Sequence, residues 1–182
     1  MYELGPSNGS ITLRTGRTGA AARAGHDLVI EVEQWRAELE LSTGGDQSSR
    51  VTATIDATSL RVREGVGGLK PLTDKDRAEI ERLIADKLQS GRFPEITFES
   101  TAIHGAEESL WRVEGRLTIA GATLPMLIPV SAARVEEGTS LSASASIVQS
   151  AFGIKPYTGM LGALKVADAV AVQFEATLPP DG

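Results

Sequence analysis

The sequence predicts an all-β domain in which an antiparallel meander of about eight strands contains one inserted helix. Apolar and polar residues alternate with a period of two over most of the chain, as in strands that place one face on a core and the other in water. A single segment, at about residues 73–89, has helical spacing instead. Such a meander closes as a sandwich or as a barrel, and the strand pattern leaves both open.

Length and composition restrict the class of protein. The 182 residues suffice for one domain with a substantial core, so a single domain over residues 1–182 is expected. Charged residues make up 23% and hydrophobic residues 41%, which is typical of a globular chain, and no apolar run is long enough to span a membrane. The net charge of -6 would repel a phosphate backbone, so nucleic acid is not an expected partner. The absence of cysteine excludes disulfides and thiolate zinc sites.

Four strands are predicted in the first third of the chain. A Gly- and Ala-rich link over residues 15–25 follows the first strand, and the cluster Thr43-Gly44-Gly45-Asp46 predicts a hairpin turn. Threonine fills many of the outward positions and suits a pleated surface. The apolar positions of the four strands are Ile11 and Leu13; Leu28, Ile30 and Val32; Ala37, Leu39 and Leu41 after Trp35; and Val51, Ala53, Ile55 and Ala57.

The helix is predicted from its first residue to its last. Thr73 is the expected N-cap, and Asp74 and Asp76 lie where the helix dipole favours negative charge. Gly91 is expected to stop the helix. The apolar stripe should pack against the barrel wall or plug one end, and it consists of Ile80, Leu83, Ile84 and Leu88.

The remaining strands follow the helix. The segment Arg92–Thr101 marks the entrance to a strand, because helical spacing gives way there to alternation. Gly121-Ala122 and Glu136-Glu137-Gly138 predict tight turns. The inward positions are Ile96 and Phe98; Trp111, Val113, Gly115, Leu117 and Ile119; Met126, Ile128 and Val130; Leu141, Ala143, Ala145 and Ile147; and Val166, Val170, Val172, Phe174 and Ala176.

The predicted interior is poorly filled. An eight-stranded barrel is either just filled by its side chains or holds one small ligand. Many inward residues are small, among them Ala57 and Gly115, and the chain has only eight aromatic residues. Because interiors pack near crystal density, this favours an apolar lumen that takes a hydrophobic ligand. The candidate lumen residues are Leu28, Ile30, Val32, Ala53, Ile55, Phe98, Val113, Leu117, Ile119, Ala143, Ala145, Phe152 and Ile154.

Basic residues suggest where a head group would lie. Arg14, Arg17 and Arg23 flank the Gly- and Ala-rich link and are candidates to meet an anionic head group at the barrel mouth, because guanidinium pairs with phosphate in bidentate fashion. A solvated set of arginines is the alternative, and it applies equally to Arg61 and Arg63. The segment Gly65–Pro71 lacks Walker spacing, since no Ser or Thr follows its lysine, and is predicted to be a flexible loop.

No catalytic or metal-binding constellation is present in the sequence. The two histidines, His26 and His104, have no second ligand at metal-binding spacing, so neither a metal nor another cofactor is predicted. His26 and Asp27 could form an acid-base pair, but a structural hydrogen bond at the strand entrance is favoured for His26. His104 is expected in an exposed turn. The chain is therefore predicted not to be an enzyme.

Several motifs, in this order and spacing, resemble those of the YceI-like family, a lipocalin-like group described as binding polyisoprenoids or related lipids. The resemblance covers almost the full length. Where the family usually has Arg-Ser-Asp-Phe-Gly-Ile, this chain has Gln149–Ile154. The motifs are Tyr2-x-Leu4-x-Pro6 with Ser10-Ile11, Gly25-His26-Asp27-Leu28, Phe93–Ser100, Val113–Gly121 and Ser150-Ala151-Phe152-Gly153-Ile154.

The resemblance implies an extended antiparallel lipocalin-like β-barrel with an apolar tunnel. The leading hypothesis is a carrier or sequestering protein that holds an isoprenoid or a fatty acid in its lumen. A filled barrel that acts as an interaction module, and an enzyme using His26 and Asp27 on a lumen-bound lipid, are the alternatives. A homodimer is a candidate assembly. The amino terminus has no basic start followed by an apolar stretch, so a cytoplasmic location is expected.

Overall fold

The computed structural model describes residues 1–42, 49–105 and 109–180. The hairpin turn predicted at Thr43–Asp46 lies outside these residues. Within them the chain forms fourteen strands and one α-helix. In chain order these are β1 (Tyr2–Leu4), β2 (Gly9–Arg14), β3 (Arg17–Thr18), β4 (Asp27–Val32), β5 (Trp35–Glu40), β6 (Arg50–Asp56), β7 (Leu60–Val66), α1 (Asp74–Lys87), β8 (Glu95–His104), β9 (Leu110–Ile119), β10 (Ala122–Val135), β11 (Gly138–Val148), β12 (Thr158–Gly159), β13 (Leu164–Val166) and β14 (Ala169–Leu178).

Eleven of these strands form one curled antiparallel sheet in the order β1-β5-β6-β8-β9-β10-β11-β14-β2-β4-β7. Three pairs of them are successive halves of longer strands: β1 with β2, β4 with β5, and β6 with β7. The pairing β1 to β5 continues as β2 to β4, and the pairing β5 to β6 continues as β4 to β7. The sheet therefore corresponds to eight long strands. The predicted class, an antiparallel lipocalin-like barrel of about eight strands with one inserted helix, is confirmed.

One side of the barrel is open as a half-barrel, and α1 covers the opening. Strand β8 pairs with β6 but not with β7, so β7 is an edge within the described part of the sheet. Two side chains of α1 bind the backbone of this edge. Val62 N–H donates to Glu81 Oε1 at 2.9 Å, and Arg77 Nη1 donates to the carbonyl of Arg63 at 2.7 Å. The helix thus satisfies backbone groups that a neighbouring strand would otherwise pair.

The opposite half of the barrel is densely packed around aromatic rings. Trp35 lies edge-on to Phe174 with ring centroids 5.8 Å apart, and Trp111 is buried in the same core cluster. Inward positions that face these rings are occupied by small residues. A Cβ on Gly115 would lie 2.4 Å from Phe98 Cζ. Large and small side chains are matched here, as close packing requires.

The small inward residues predict an open lumen, and the structure corrects this: they make room for aromatic rings and not for a ligand. Ala53 lies in register between Ala37 and Phe98, and a Cβ on Gly9 would lie 2.9 Å from the Ala176 Cβ and 3.1 Å from the Trp35 ring. The open space lies instead in the half of the barrel lined by larger aliphatic residues.

The helix is confirmed, with one correction at its end. Thr73 is the N-cap, and its side chain and that of Asp76 form a reciprocal capping box. Gly91 does not stop the helix. The left-handed residue is Gln89, with φ of 51°, and the regular helix has already ended at Lys87. The carbonyl of Gln89 then accepts hydrogen bonds from two later amides, which offsets the strain of a non-glycine residue there.

Five strands differ from the sequence prediction. Strands β1 and β7 were not expected, and β7 includes Gly65 and Val66 of the supposed flexible loop. The Gly- and Ala-rich link contains β3, which joins β13 and β12 in a separate three-stranded sheet. These strands contain three residues or fewer apart from β7, so they are too short to show a period of two. The tight turn between β9 and β10 is confirmed, with positive φ at Ala120 and Gly121.

We predict that Gly115→Ala destabilises the protein by about 1–3 kcal/mol, because the new methyl group would meet both Phe98 and the backbone oxygen of Glu99, the latter at 2.6 Å. Urea unfolding measures the change. Gly91→Ala is the control, since nothing lies within 4 Å of its Cβ position. Equal unfolding midpoints for the two variants would contradict the packing described above.

Candidate functional site

The candidate site is a cavity of about 750 Å³ inside the half-barrel beneath α1. Its walls come from β2, β4, β9, β14 and the neighbouring ends of other strands, and α1 and two loops form its roof. Three wall residues show how the strands build it. Leu13 is paired with Ile30 on one side and Val172 on the other, so three aliphatic side chains stand side by side on adjacent strands. The lining is therefore mainly aliphatic.

Seven of the thirteen sequence-predicted lumen residues line this cavity. The other six lie elsewhere in the barrel interior and do not line it. Phe98 and its neighbours fill the packed half, where their side chains contact one another and leave no room for a guest. The lining residues are Leu28, Ile30, Val32, Ile55, Leu117, Ile119 and Ile154, and the others are Ala53, Phe98, Val113, Ala143, Ala145 and Phe152.

The helix supplies one wall with its apolar face. The stripe predicted to pack on the barrel, Ile80, Leu83, Ile84 and Leu88, lines the cavity. No residue of α1 is buried, and Leu83 remains 37% exposed. In a well-packed protein this face would be covered by core side chains. Its partial exposure follows from the empty volume beneath it.

Polar groups are concentrated at one end of the cavity, where Arg17 holds three segments together. Its guanidinium donates to the carbonyls of Gly25 and Val66, the latter at 3.4 Å, and its backbone N–H donates to Asp27 Oδ1 at 2.9 Å. Arg17 Nε also lies 3.7 Å from the same carboxylate oxygen. Of the three head-group candidates, Arg17 lines the cavity, whereas Arg14 and Arg23 are exposed and do not.

His26 makes the structural hydrogen bond that the sequence predicted. Its Nε2 lies 2.8 Å from the backbone oxygen of Lys70 and so fastens the loop after β7 to the start of β4. The carboxylate of Asp27 is engaged with Arg17 rather than with the imidazole. The two residues therefore hold loops in place and show no acid-base arrangement. His104 is not in a turn but ends β8, with its Nε2 3.7 Å from Glu114.

A short 3₁₀ turn at Gln149–Phe152 carries the chain from β11 back over the cavity. Asp168 fixes the start of this turn, because its carboxylate accepts from the Ser150 N–H at 2.8 Å and from the Ser150 hydroxyl. Gln149 Nε2 donates to the carbonyl of Ala167 at 2.9 Å. Downstream, Ile154 and Tyr157 reach the cavity.

Several cavity residues were not among the sequence-predicted lumen set. Val170 and Val172 alternate in phase with buried Ala176 on β14, so the sequence indicated that they point inward. It did not indicate how far along the barrel they lie. The loop residues Leu69 and Leu72 gave no periodic signal, and Val166, predicted on the last strand, belongs to the separate strand β13. Only the three-dimensional arrangement brings them to the mouth.

Among the residues that the structure describes, no group of three His, Asp or Glu side chains is arranged to hold a metal ion. No α-helix among these residues is both long and apolar enough to cross a bilayer. The cavity combines apolar walls with a polar rim, as small-molecule sites do.

An antiparallel barrel with an aliphatic cavity under a helical cover defines a barrel of the lipocalin-like class. The YceI-like domain model matches residues 2–178, and the chain therefore belongs to the YceI-like family. The predicted family membership is thus confirmed.

Solved structures agree on the fold. BcnA from Burkholderia cenocepacia has a TM-score of 0.67 and 21% identity, with 92% of this chain and 94% of that chain covered. The YceI protein of Campylobacter jejuni has a TM-score of 0.62 and 15% identity, with 84% and 85% covered. A search of the curated proteins finds no match.

We predict that Glu81→Ala loosens α1 from the barrel, because Val62 N–H would lose its acceptor. The loss of one such partner costs about 1–3 kcal/mol. Hydrogen exchange of the α1 amides should accelerate more than that of β9. Asp86→Ala, on the exposed face of the same helix, is the control. Unchanged exchange in Glu81→Ala would show that the contact does not anchor the helix.

We also predict that acid weakens the start of α1. Hydrogen bonds from the Thr73 N–H and hydroxyl lower the pKa of Asp76 below its ordinary value of 3.8. A group whose pKa is lowered by folding stabilises the fold above its unfolded pKa, and this contribution is lost as the pH falls through the folded pKa. Asp76→Asn should therefore unfold at less urea than the parent at pH 7, and the gap should narrow as the pH falls below 3.8. A gap that stays constant with pH would refute the assignment.

Proposed function

We propose that this protein binds a long apolar molecule, such as a polyisoprenoid or a fatty-acid-like lipid, in the cavity under α1 and carries or sequesters it without chemical change. The observation that supports this most directly is the aliphatic cavity of about 750 Å³ in a chain of the YceI-like family. A volume of this size is within the range of small-molecule sites.

Burial alone provides enough free energy for binding. An aliphatic chain that buries about 400 Å² of apolar surface gains about 10 kcal/mol before the costs of association. No ionic contact is then needed for useful affinity. The deep wall of Leu13, Ile30 and Val172 offers only apolar contacts, so specificity for chain shape should exceed specificity for charge.

The position of the polar groups suggests how a ligand would be oriented. Four basic side chains line the cavity at its open end, and they are Arg17, His26, Lys70 and Lys165. A lipid with one polar end would place that end there and its chain among the aliphatic walls. Arg17 stays a predicted head-group contact on this basis.

The alternative of an interaction module with a filled barrel is less well supported, because only one half of the interior is packed. A homodimer and a cytoplasmic location also stay predictions. Sedimentation of the purified protein tests the first, and cell fractionation tests the second.

We predict that the double variant Leu13→Trp with Val172→Trp lowers the affinity for cis-parinaric acid at least about tenfold, because two indoles fill the cavity where the aliphatic chain would lie. Fluorescence titration measures the affinity, and native mass spectrometry of freshly purified protein shows whether a lipid is retained. Competition with farnesol and with longer prenols then tests the isoprenoid class.

The matched control is Thr12→Trp with Gln173→Trp. These residues lie next to the first pair on β2 and β14 and are paired with each other in register, but they point to the opposite face. Circular dichroism establishes that both double variants fold. Equal loss of affinity in the two, or parent protein that neither retains lipid nor binds any probe, would overturn the proposed function.

A further inference from the structure

The cavity opens between three segments that we call the mouth surface: residues 14–28, 66–72 and 149–168. Contacts tie them together. Arg17 donates to the carbonyl of Val66, His26 bonds with Lys70, and β3 pairs with β13. The amide of Ala21 also donates to the carbonyl of Ala163 at 2.9 Å. The three segments therefore form one continuous surface at the entrance to the cavity.

The charge of the mouth surface is opposite to that of the rest of the chain. It contains six basic residues and two acidic ones, so it carries a net charge of +4. Because the whole chain carries -6, all other residues together carry -10. Among the described residues, Arg17 is the one basic residue of this surface that forms an ion pair. The basic residues are Arg14, Arg17, Arg23, Lys70, Lys155 and Lys165, and the acidic ones are Asp27 and Asp168.

The same surface exposes large apolar side chains. Leu161 is fully exposed, and Leu69 is 79% exposed. Single exposed apolar residues are normal on a soluble protein, but a group of them within a basic surface indicates a binding role. The apolar members are Val66, Leu69, Tyr157, Met160 and Leu161.

The backbone of the hairpin between β12 and β13 is strained where these side chains project. Met160 and Leu161 have φ of 50° and 54°, in the left-handed region that residues other than glycine rarely adopt. Left-handed residues other than glycine cluster at ligand-binding and switch segments. The Leu161 side chain lies in solvent here.

We propose that the mouth surface docks onto the face of an anionic lipid bilayer, with Leu161 and Leu69 inserted between head groups and the basic residues above them. Apolar side chains ringed by lysine and arginine are the combination that binds peripheral proteins to membranes. The remainder of the chain carries a net charge of -10 and would be repelled by the anionic lipid. The charge of the bilayer therefore also sets the orientation of the protein on it. The cavity would then open directly onto the bilayer.

The nearest acidic residues do not cancel this field. Asp74 and Asp76 begin α1 beside the mouth, and Glu79 lines the cavity. The same stretch of helix also carries Lys75 and Arg77, so residues 74–79 together contribute a net charge of only -1.

Vesicle flotation tests the proposal with the full chain. We expect binding to vesicles that contain phosphatidylglycerol, weaker binding to pure phosphatidylcholine, and release as salt is raised. Leu161→Asn, which suits a left-handed backbone, should weaken binding about tenfold or more. Arg23→Glu with Lys155→Glu should have a similar effect, because it reverses two charges near the lipid surface.

Two controls lie on other parts of the barrel. Leu127→Asn removes a side chain that is 56% exposed on β10, and Arg134→Glu reverses an exposed charge near the far end of that strand. Both should bind vesicles like the parent. Lack of vesicle binding by the parent, equal losses in mouth and control variants, or a loss that sedimentation explains by dissociation of a second copy of the chain would overturn the proposal.

This test is independent of the proposed lipid cavity. Titration with cis-parinaric acid in the absence of vesicles should give the same affinity for Leu161→Asn as for the parent, because Leu161 does not line the cavity. The double tryptophan variant should in turn still float with vesicles. A failure of docking and a failure of lumen binding are therefore distinguishable.

Discussion

The structure depends on an unequal division of the barrel interior. In one half, Trp35 and Phe98 are packed against glycine and alanine so closely that a single added methyl group at Gly115 would collide. An apolar cavity costs stability, because the groups lining it lose contacts on one side. The packed half supplies the cohesion that allows the other half to stay open. A barrel with intermediate side chains throughout would have neither a firm core nor a usable cavity.

The barrel sheet has two breaks in its strand pairing, and one of them borders the cavity. A bulge between Val29 and Ile30 leaves Arg63 of β7 without a partner on β4, and α1 binds the backbone of Arg63 at that point. On the other side of the sheet, the pairing of β10 with β11 ends at Val130 and Ala143, next to Pro129. Proline has no N–H to donate, so it does not continue a ladder. No residue of β10 lines the cavity, so it is the first break, covered by α1, that opens the barrel wall there.

The sequence predicted the fold well and the site in part, for physical reasons. Alternation records which face of a strand is inward, and it predicted Leu28, Ile30 and Leu117 as inward residues, which lie on the cavity wall. It does not record how far along the barrel a residue lies, so Phe98 and Ala143 were indistinguishable from them. That distinction depends on which side chains meet across the lumen. Phe98 lies on β8 and Gly115 on β9. The match between their side-chain volumes is therefore not visible in any local stretch of sequence.

The mouth was the least predictable part because polar contacts rather than periodic burial organise it. Arg17, His26 and Asp168 each fix a loop through one or two hydrogen bonds between their side chains and backbone groups. Single residues of this kind give no repeating pattern, and the loops that they hold contain glycine at positive φ, as at Gly67 and Gly68.

The same organisation bears on how a ligand would enter. Elements held by few contacts open at a lower free energy than a core strand. The roof of the cavity consists of such elements: α1, with no buried residue, and the loops fixed by Arg17 and His26. Opening therefore requires no disruption of the aromatic half. A bilayer that binds the basic and apolar groups of the mouth surface would make more contacts with the open state than with the closed one, and would therefore favour the open state. Docking and ligand entry would then be coupled through the same few hydrogen bonds.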